Sequence, residues 1–309
     1  MSQGGWHGGR ALLTGATGLI GAKLAERLAD VVVLSRDPEH ARHKLVATEA
    51  HVWSPEAGPP PAAALANLGV VFHLAGEPVA EGRWTAEKKR RIRDSRVLGT
   101  RHLVAGLAAQ ARKPRVMVCA SAVGYYGDRG DEVLDETSAA GQGFLAEVCE
   151  AWEREARSAE DLGIRVVSVR IGVVLSREGG ALAKLLGPFR IGAGGTLAGG
   201  RQWMPWIHID DLVGLLLHAA GNDDVRGAMN AVAPHPVTNR DFTRTLARAI
   251  HRPAILPVPG FALRLLLGEM SEVLTASARA VPRLAERTGY VFRYPDLDGA
   301  LAMLAGPTG

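Results

Sequence analysis

The sequence predicts an α/β fold: a doubly wound parallel sheet followed by a smaller, mainly helical C-terminal lobe. Three observations point to it. Short β-branched runs recur with amphipathic stretches between them, and the runs lack polar alternation, as strands covered on both faces do. The first run also ends in a glycine triplet that opens a helix. A chain of 309 residues is long enough to bury one sizeable core and too long for a minimal binding module.

The first run, Ala11-Leu12-Leu13, ends at Thr14-Gly15, a helical pattern covers residues 19–28, and Val31-Val32-Val33-Leu34 is the second run, which completes a βαβ unit. A proline-rich stretch over residues 54–61 breaks the pattern before Val70-Val71-Phe72-His73-Leu74, which ends at Ala75-Gly76. Residues 116–120 and 164–169 repeat the design, with helices expected over 97–111 and 144–159. Beyond Val174 come Gly179-Gly180, Gly192 to Gly195 and Gly199-Gly200, around an expected turn at Pro188-Phe189-Arg190. A ligand-facing loop and a plain surface connection both fit this stretch. From Pro253 onward the chain is leucine-rich and reads as a small helical lobe punctuated by Pro257, Pro259 and Pro282.

Lys plus Arg is 36 and Asp plus Glu is 32, a surplus of +4 that is too small to call for a nucleic-acid partner. Only six of the basic residues are lysines, so the cationic character rests on arginine. Cys119 and Cys149 sit among apolar residues with no CxxC pair, which argues against a disulfide framework or zinc knuckle and for a reducing, cytoplasmic setting. No stretch approaches the ~18 apolar residues of a membrane span, and residues 1–10 read as a short disordered lead. No metal is expected: His208 near Asp210-Asp211 reads as a strand residue before a helix that Asp210 or Asp211 caps.

Gly15, Gly18 and Gly21 stand at G-x-x-G-x-x-G spacing, with Thr17, Leu19 and Ile20 between them. Gly15 and Gly18 let the backbone turn and approach a pyrophosphate, and Gly21 lets the helix pack closely on the strand. At the end of the second run, where an acidic residue would hold the ribose of NAD, stand Ser35 and Arg36. A hydroxyl and a guanidinium suit a 2′-phosphate, so NADP(H) is the expected cofactor; a surface salt bridge between Arg36 and Asp37 is the alternative for that arginine. Residues 11–175 then form the dinucleotide-binding domain, to which 205–235 return, and residues 176–204 and 236–309 form the substrate lobe.

With these motifs, the strand end His73-Leu74-Ala75-Gly76-Glu77 and the stretch Ala120-Ser121-Ala122-Val123-Gly124-Tyr125-Tyr126-Gly127, the chain resembles an extended short-chain dehydrogenase/reductase. More narrowly it resembles the atypical branch called "epimerase family protein" or SulA-like. Ser95 to Thr100, Pro205 to Leu212, Ala233-Pro234 with Val237-Thr238-Asn239, and a C-terminal domain carrying Leu267-Gly268-Glu269, Thr288-Gly289-Tyr290 and Tyr294-Pro295 match it too. The resemblance implies a Rossmann domain of the extended type, with Leu74, Ala75, Gly76 and Glu77 beside the dinucleotide, Ser35 and Arg36 on the adenosine phosphate, and Arg96, Ser121 and Val174 also at the cofactor. Lys88 to Arg91 read as a solvated helix face.

In active members of the wider superfamily a serine polarises the substrate, a tyrosine moves the proton, and a lysine four residues on stabilises the phenolate. The resemblance places Ser121 as that serine, but the tyrosine and lysine positions fall on Phe144 and Val148, which carry no proton. None of the four tyrosines is followed by lysine at that spacing. Tyr125 is the candidate substitute acid, with packing against the second lobe as its other reading; Glu147 is an outside candidate whose plain role is a helix-surface carboxylate. The sequence thus leads to an NADP(H)-binding oxidoreductase or epimerase-like enzyme, monomeric or homodimeric, acting on a small molecule held by the loop of residues 192–203 and the C-terminal lobe. Its alternative is a catalytically inactive NADP(H)-binding redox sensor or regulator.

Overall fold

The structure is a computed structural model that describes residues 6, 8–45 and 49–305. Its elements in chain order are β1 (Ala11–Thr14), α1 (Leu19–Ala25), β2 (Val31–Ser35), α2 (Pro38–Lys44), β3 (Glu49–Val52), β4 (Val70–His73), α3 (Ala86–Ala108), β5 (Val116–Ala122), β6 (Val133–Leu134) and α4 (Phe144–Arg157). Then follow β7 (Arg165–Ile171), β8 (Val173–Leu175), α5 (Gly180–Arg190), β9 (Trp203–Met204), β10 (Trp206–His208), α6 (Ile209–Gly221), β11 (Gly227–Ala231), β12 (Val237–Thr238) and α7 (Asn239–Ala249). The chain closes with α8 (Gly260–Leu267), α9 (Glu272–Thr275), β13 (Arg279–Ala280), α10 (Arg283–Arg287) and α11 (Leu297–Ala305).

Seven strands form one parallel sheet in the order β11-β7-β5-β4-β1-β2-β3. Alternate residues of its strands feed two cores. Leu13, Val33, Phe72, Val118 and Val167 pack on one face with Leu212 and Leu216 of α6, and Leu12, Val32, Val71, Met117 and Val166 pack on the other with Leu103, Leu107 and Trp152 of α3 and α4. Burial on both faces is why these strands lack polar positions. A third cluster joins Leu182 and Phe189 of α5, Trp206, Phe242 and Leu246 to Leu297 and Leu301 of the last helix. A buried carboxylate and a half-buried one tie the C-terminal lobe down: Asp211 accepts from the backbone N–H groups of Arg293 (2.7 Å) and Tyr294 (2.9 Å), and Glu136 accepts from those of Leu284 (3.1 Å) and Asn230 (3.0 Å).

Several expectations are corrected. Pro188 and Phe189 do not form a turn but lie in the last turn of α5, where Phe189 reaches the third cluster. Neither Asp210 nor Asp211 caps α6. Its N-cap is His208, whose Nδ1 accepts from Asp210 N (3.1 Å), and the helix starts at Ile209. The helix expected over 97–111 starts at Ala86, because Thr85 caps it by accepting from Lys88 N. The first helix ends at Ala25 and tightens into i→i+3 bonds through Leu28. The expected disordered lead does not extend to Trp6, which is buried, pairs with Leu28 and donates its indole N–H to Gly9 O (2.8 Å); residues 1–5 and 7 lie outside the described residues. The proline-rich stretch is packed against α3: a Cβ on Gly99 would stand 2.8 Å from Pro55 Cβ, and one on Gly106 3.0 Å from Pro60 Cδ.

Candidate dinucleotide and substrate site

From β1 the chain leaves through α1 on one side of the sheet, and from the neighbouring β4 it leaves through α3 on the other. The crevice where an open α/β sheet takes its ligand therefore opens at the carboxyl ends of these two strands. There Gly15 has φ +70°, and a Cβ on it would lie 2.8 Å from the Leu74 carbonyl and 2.9 Å from Ala75 N. A Cβ on Gly21 would lie 2.7 Å from Ala16 Cα, so the first turn of α1 rests directly on the glycine turn. Gly18 is the exposed N-cap of α1, with no side chain to occupy the N–H groups behind it. The residues present thus form a backbone-lined cradle of the kind a pyrophosphate needs. Thr17, Leu19 and Ile20 are half-buried around it, and Leu19 also touches Gly179 and Gly180 of the segment that follows Val174.

Sequence reasoning missed what joins the two sides of this crevice. Thr14 is fully buried, and its Oγ1 accepts from Leu74 N and Ala75 N, both at 3.1 Å. With both lone pairs engaged, its proton goes to His73 Nδ1 (2.8 Å), which leaves His73 Nε2–H to donate to Thr100 Oγ1 (3.0 Å). Burial, with Arg96 nearby, lowers the His73 pKa to about 4, so the ring is the neutral tautomer this chain of bonds requires. The one visible signal was a polar residue ending each of two apolar strands.

Around the cradle the expected residues divide. Ser35 is turned onto its own loop: its hydroxyl donates to Asp37 O (2.9 Å) and accepts from Asp37 N (3.1 Å). Arg36 is exposed and makes no ion pair among the described residues; Asp37 instead caps α2 by accepting from His40 N. Leu74 and Ala75 are half-buried and Gly76 is exposed at the mouth. The Glu77 carboxylate is tied to Lys88 (2.7 Å), whose hydrogen bond holds its pKa below the usual carboxylate range, and its backbone N–H donates to Ser95 Oγ (3.0 Å). Lys88 is buried, which corrects the solvated face expected for residues 88–91 at that position, while Arg90 and Arg91 are exposed. Arg96 props the loop from beneath, with its guanidinium over the Trp152 ring (5.1 Å) and donating to Glu77 O (3.0 Å). Val174 is half-buried on β8, opposite Ile207 of β10.

At the end of β5, Ser121 is 3% exposed and donates to Glu153 Oε1 (2.7 Å). Glu153 forms a two-pronged pair with Arg170, with both bonds at 2.9 Å and both side chains buried. Arg170 also donates to Tyr126 Oη (3.0 Å), and its guanidinium lies 3.5 Å from the centre of the Tyr125 ring. Burial pushes the Tyr126 phenol up to about 12, and that phenol is bonded to Asn230 Oδ1 (2.7 Å), so it serves structure. Glu153 and Arg170 were not legible in the sequence, because each is one charge among many until the fold pairs them. Tyr125 is half-buried and packs against the cluster of Tyr126, Val232, Ala278 and Ala280, while its hydroxyl makes no hydrogen bond with the protein among the described residues. Phe144 meets Trp84 edge-on (5.3 Å), and Val148 is buried with Trp84, Ile92 and Met270. Glu147 is exposed on α4. Among the described residues no group of three His, Cys, Asp or Glu side chains is arranged to hold a metal ion, and no helix is long and apolar enough to cross a membrane.

Comparison with known proteins agrees with this architecture. Epimerase family protein YfhF of Bacillus subtilis (strain 168) is 38% identical over 297 residues, which span 94% of this chain and 96% of the relative. The chloroplastic epimerase family protein SDR39U1 homolog of Arabidopsis thaliana is 39% identical over 304 residues, 94% of this chain and 84% of that one. The crystal structure of human epimerase family protein SDR39U1 (isoform2) with NADPH superposes with a TM-score of 0.86 at 32% identity, covering 96% of this chain and 99% of that chain. A domain of unknown function, DUF1731, matches residues 258–304, which hold α8 to α11. The family model for NAD dependent epimerases and dehydratases matches residues 11–231, from β1 through the sheet-edge strand β11, and the chain belongs to the NAD dependent epimerase/dehydratase family.

Proposed function

We propose that this protein binds NADP(H) in the crevice between β1 and β4 and acts as an oxidoreductase or epimerase-like enzyme on a small molecule held under the C-terminal lobe. The observation that carries the reading is the cradle: Gly15, Gly18 and Gly21 stand where side chains would collide with backbone or fill the phosphate space. The phosphorylated cofactor is supported by Arg36, an exposed guanidinium with no ion pair among the described residues where an NAD site would place an acid, and by the NADPH named with the human relative. When bound, the nicotinamide supplies or accepts hydride. Tyr125 is the proton donor in this reading, since its hydroxyl alone among the phenols near the end of β5 is not taken by the protein. Ser121 acts from beneath as a positioning residue, through Glu153 to the guanidinium stacked on the Tyr125 ring. A cytoplasmic monomer or homodimer fits the two free, buried thiols of Cys119 and Cys149.

A second reading, an NADP(H)-binding regulator without turnover, is favoured by one observation. Phe144 and Val148, at the positions the family resemblance assigns to the proton carrier and its lysine, sit in an apolar cluster with Trp84 and Met270.

Equilibrium binding of NADPH and NADH, followed by tryptophan fluorescence, tests the cofactor reading. NADPH is expected to bind at least tenfold tighter than NADH, and Arg36→Asp to abolish that preference; failure to bind either nucleotide would overturn the reading. A carbonyl and sugar screen with NADPH then separates the two functions. Activity lost in Tyr125→Phe with NADPH affinity intact establishes the enzyme, whereas binding without turnover of any compound leaves the regulator.

A further inference from the structure

We propose that residues 190–191, 252–256 and the outward side of α8 form one surface that docks this protein peripherally on an anionic lipid membrane. The proposal stands apart from the cofactor reading, since none of these residues belongs to the cradle between β1 and β4.

Ten large apolar side chains are exposed among the described residues, and six of them gather here: Ile191, Ile255, Leu256, Phe261, Leu265 and Leu266. In α8, Leu263 is buried and Leu267 packs into the cluster with Trp84. Phe261 and Leu265, one turn apart, are thereby carried to the opposite side and stand 76% and 74% exposed. The helix is fixed in that orientation, because Arg83 donates to Leu265 O (2.5 Å) and Lys89 is ion-paired with Glu269 just beyond its end. The segment before it is bound to the loop after α5, by Leu256 N to Gly194 O (3.1 Å) and Val258 N to Thr196 O (2.8 Å), which brings Ile191 to the same rim. An apolar patch presented this way marks a place where another body covers the protein.

The charge on this side has one sign. The chain has 32 acids among 309 residues, yet residues 179–209 and 242–268, which build the surface, contain none. They carry seven lysines and arginines, all exposed, and only Arg248 forms an ion pair among the described residues, with Asp298. Arg190, Arg252 and Arg264 are neighbours in sequence of the exposed apolar side chains. Apolar side chains flanked by unpaired arginines suit the boundary of a bilayer, where the first enter the acyl region and the second meet lipid phosphates. A second copy of this chain is a poorer match, because a two-fold pairing sets arginine against arginine with no acid in either stretch to answer it. Side chains this exposed also project from the surface rather than line a groove for a peptide. With eight residues, α8 can lie on a membrane but not cross it.

The test is co-sedimentation of the full-length protein with vesicles of phosphatidylcholine alone and of phosphatidylcholine with about 30% phosphatidylglycerol. Wild type is expected to partition onto the anionic vesicles at least about tenfold more strongly than onto the neutral ones, and salt raised from about 50 to about 300 mM should release much of it. The double variant Phe261→Gln, Leu265→Gln removes the apolar anchor, and the triple variant Arg190→Gln, Arg252→Gln, Arg264→Gln removes the charge. Each should lose about tenfold in partitioning while its thermal unfolding midpoint stays at the wild-type value, since all five side chains are exposed. No binding to anionic vesicles, equal binding to both kinds, or full binding by both variants would each overturn the proposal. Analytical ultracentrifugation supplies the other occupant: self-association that the double variant abolishes, without vesicle binding, would assign the surface to a second copy and overturn the membrane.

Discussion

The Thr14, His73 and Thr100 chain shows how much one buried side chain can decide. It joins the glycine turn to the start of the β4–α3 loop at the floor of the crevice, and it works only with a neutral imidazole. The folded protein takes up a proton on His73 only near pH 4, the unfolded chain already near 6.5. The unfolded state thus binds more protons across this window, so stability is fully present above pH 6.5 and is lost as pH falls toward 4, by about 3 kcal/mol for this residue. Chemical denaturation of wild type and His73→Gln between pH 4 and 7 checks it: the variant should show a shallower pH slope, and an unchanged slope would show that His73 is not the group responsible. His208, also lowered to about 4 by burial, contributes in the same direction, which is why the comparison is between slopes and not absolute stabilities.

Elements were legible in the sequence where their signals are local. The apolar runs and the glycine triplet report their own surroundings, so the sheet strands and the β1–α1 turn fall where periodicity and spacing put them. What was not legible depends on pairings that only the fold decides. The pairing of Glu153 with Arg170 spans 17 residues, that of Lys88 with Glu77 turns a surface charge into a buried one, and the choice of His208 over Asp210 as a cap is settled by which side chain the strand delivers. The proline-rich stretch is the same kind of case: it looked like a break, yet α3 keeps Gly99 and Gly106 where Pro55 and Pro60 lie against it. Gly99→Ala should therefore destabilise the protein by about 1–3 kcal/mol despite a gain in helix propensity, because a Cβ meets a rigid ring. Gly299→Ala in α11, where a Cβ meets nothing within 4 Å, should stabilise it by about 0.5–1 kcal/mol. Urea midpoints of the two variants moving in opposite directions would bear this out; a stabilising Gly99→Ala would mean that the prolines do not rest on the helix.

At the scale of the whole molecule, the C-terminal lobe is fastened to the sheet by hydrogen bonds to the carboxylates of Asp211 and Glu136 as well as by apolar packing. Asp211→Ala removes the acceptor for two backbone N–H groups and for the Tyr290 hydroxyl (3.2 Å), and should cost about 3 kcal/mol. Proteolysis should then cut first within residues 284–296, and cleavage elsewhere at wild-type rates would show that the lobe is held by other means. The same arrangement has a bearing on how the chain is made. Glu136 and Asp211 leave the ribosome well before residues 284 and 293–294, which supply their partners, so throughout that interval each acid must stay hydrated, and the region around it cannot close. The crevice-bearing sheet can assemble early, but its final sealing waits for residues 284–294, which are synthesised well after it.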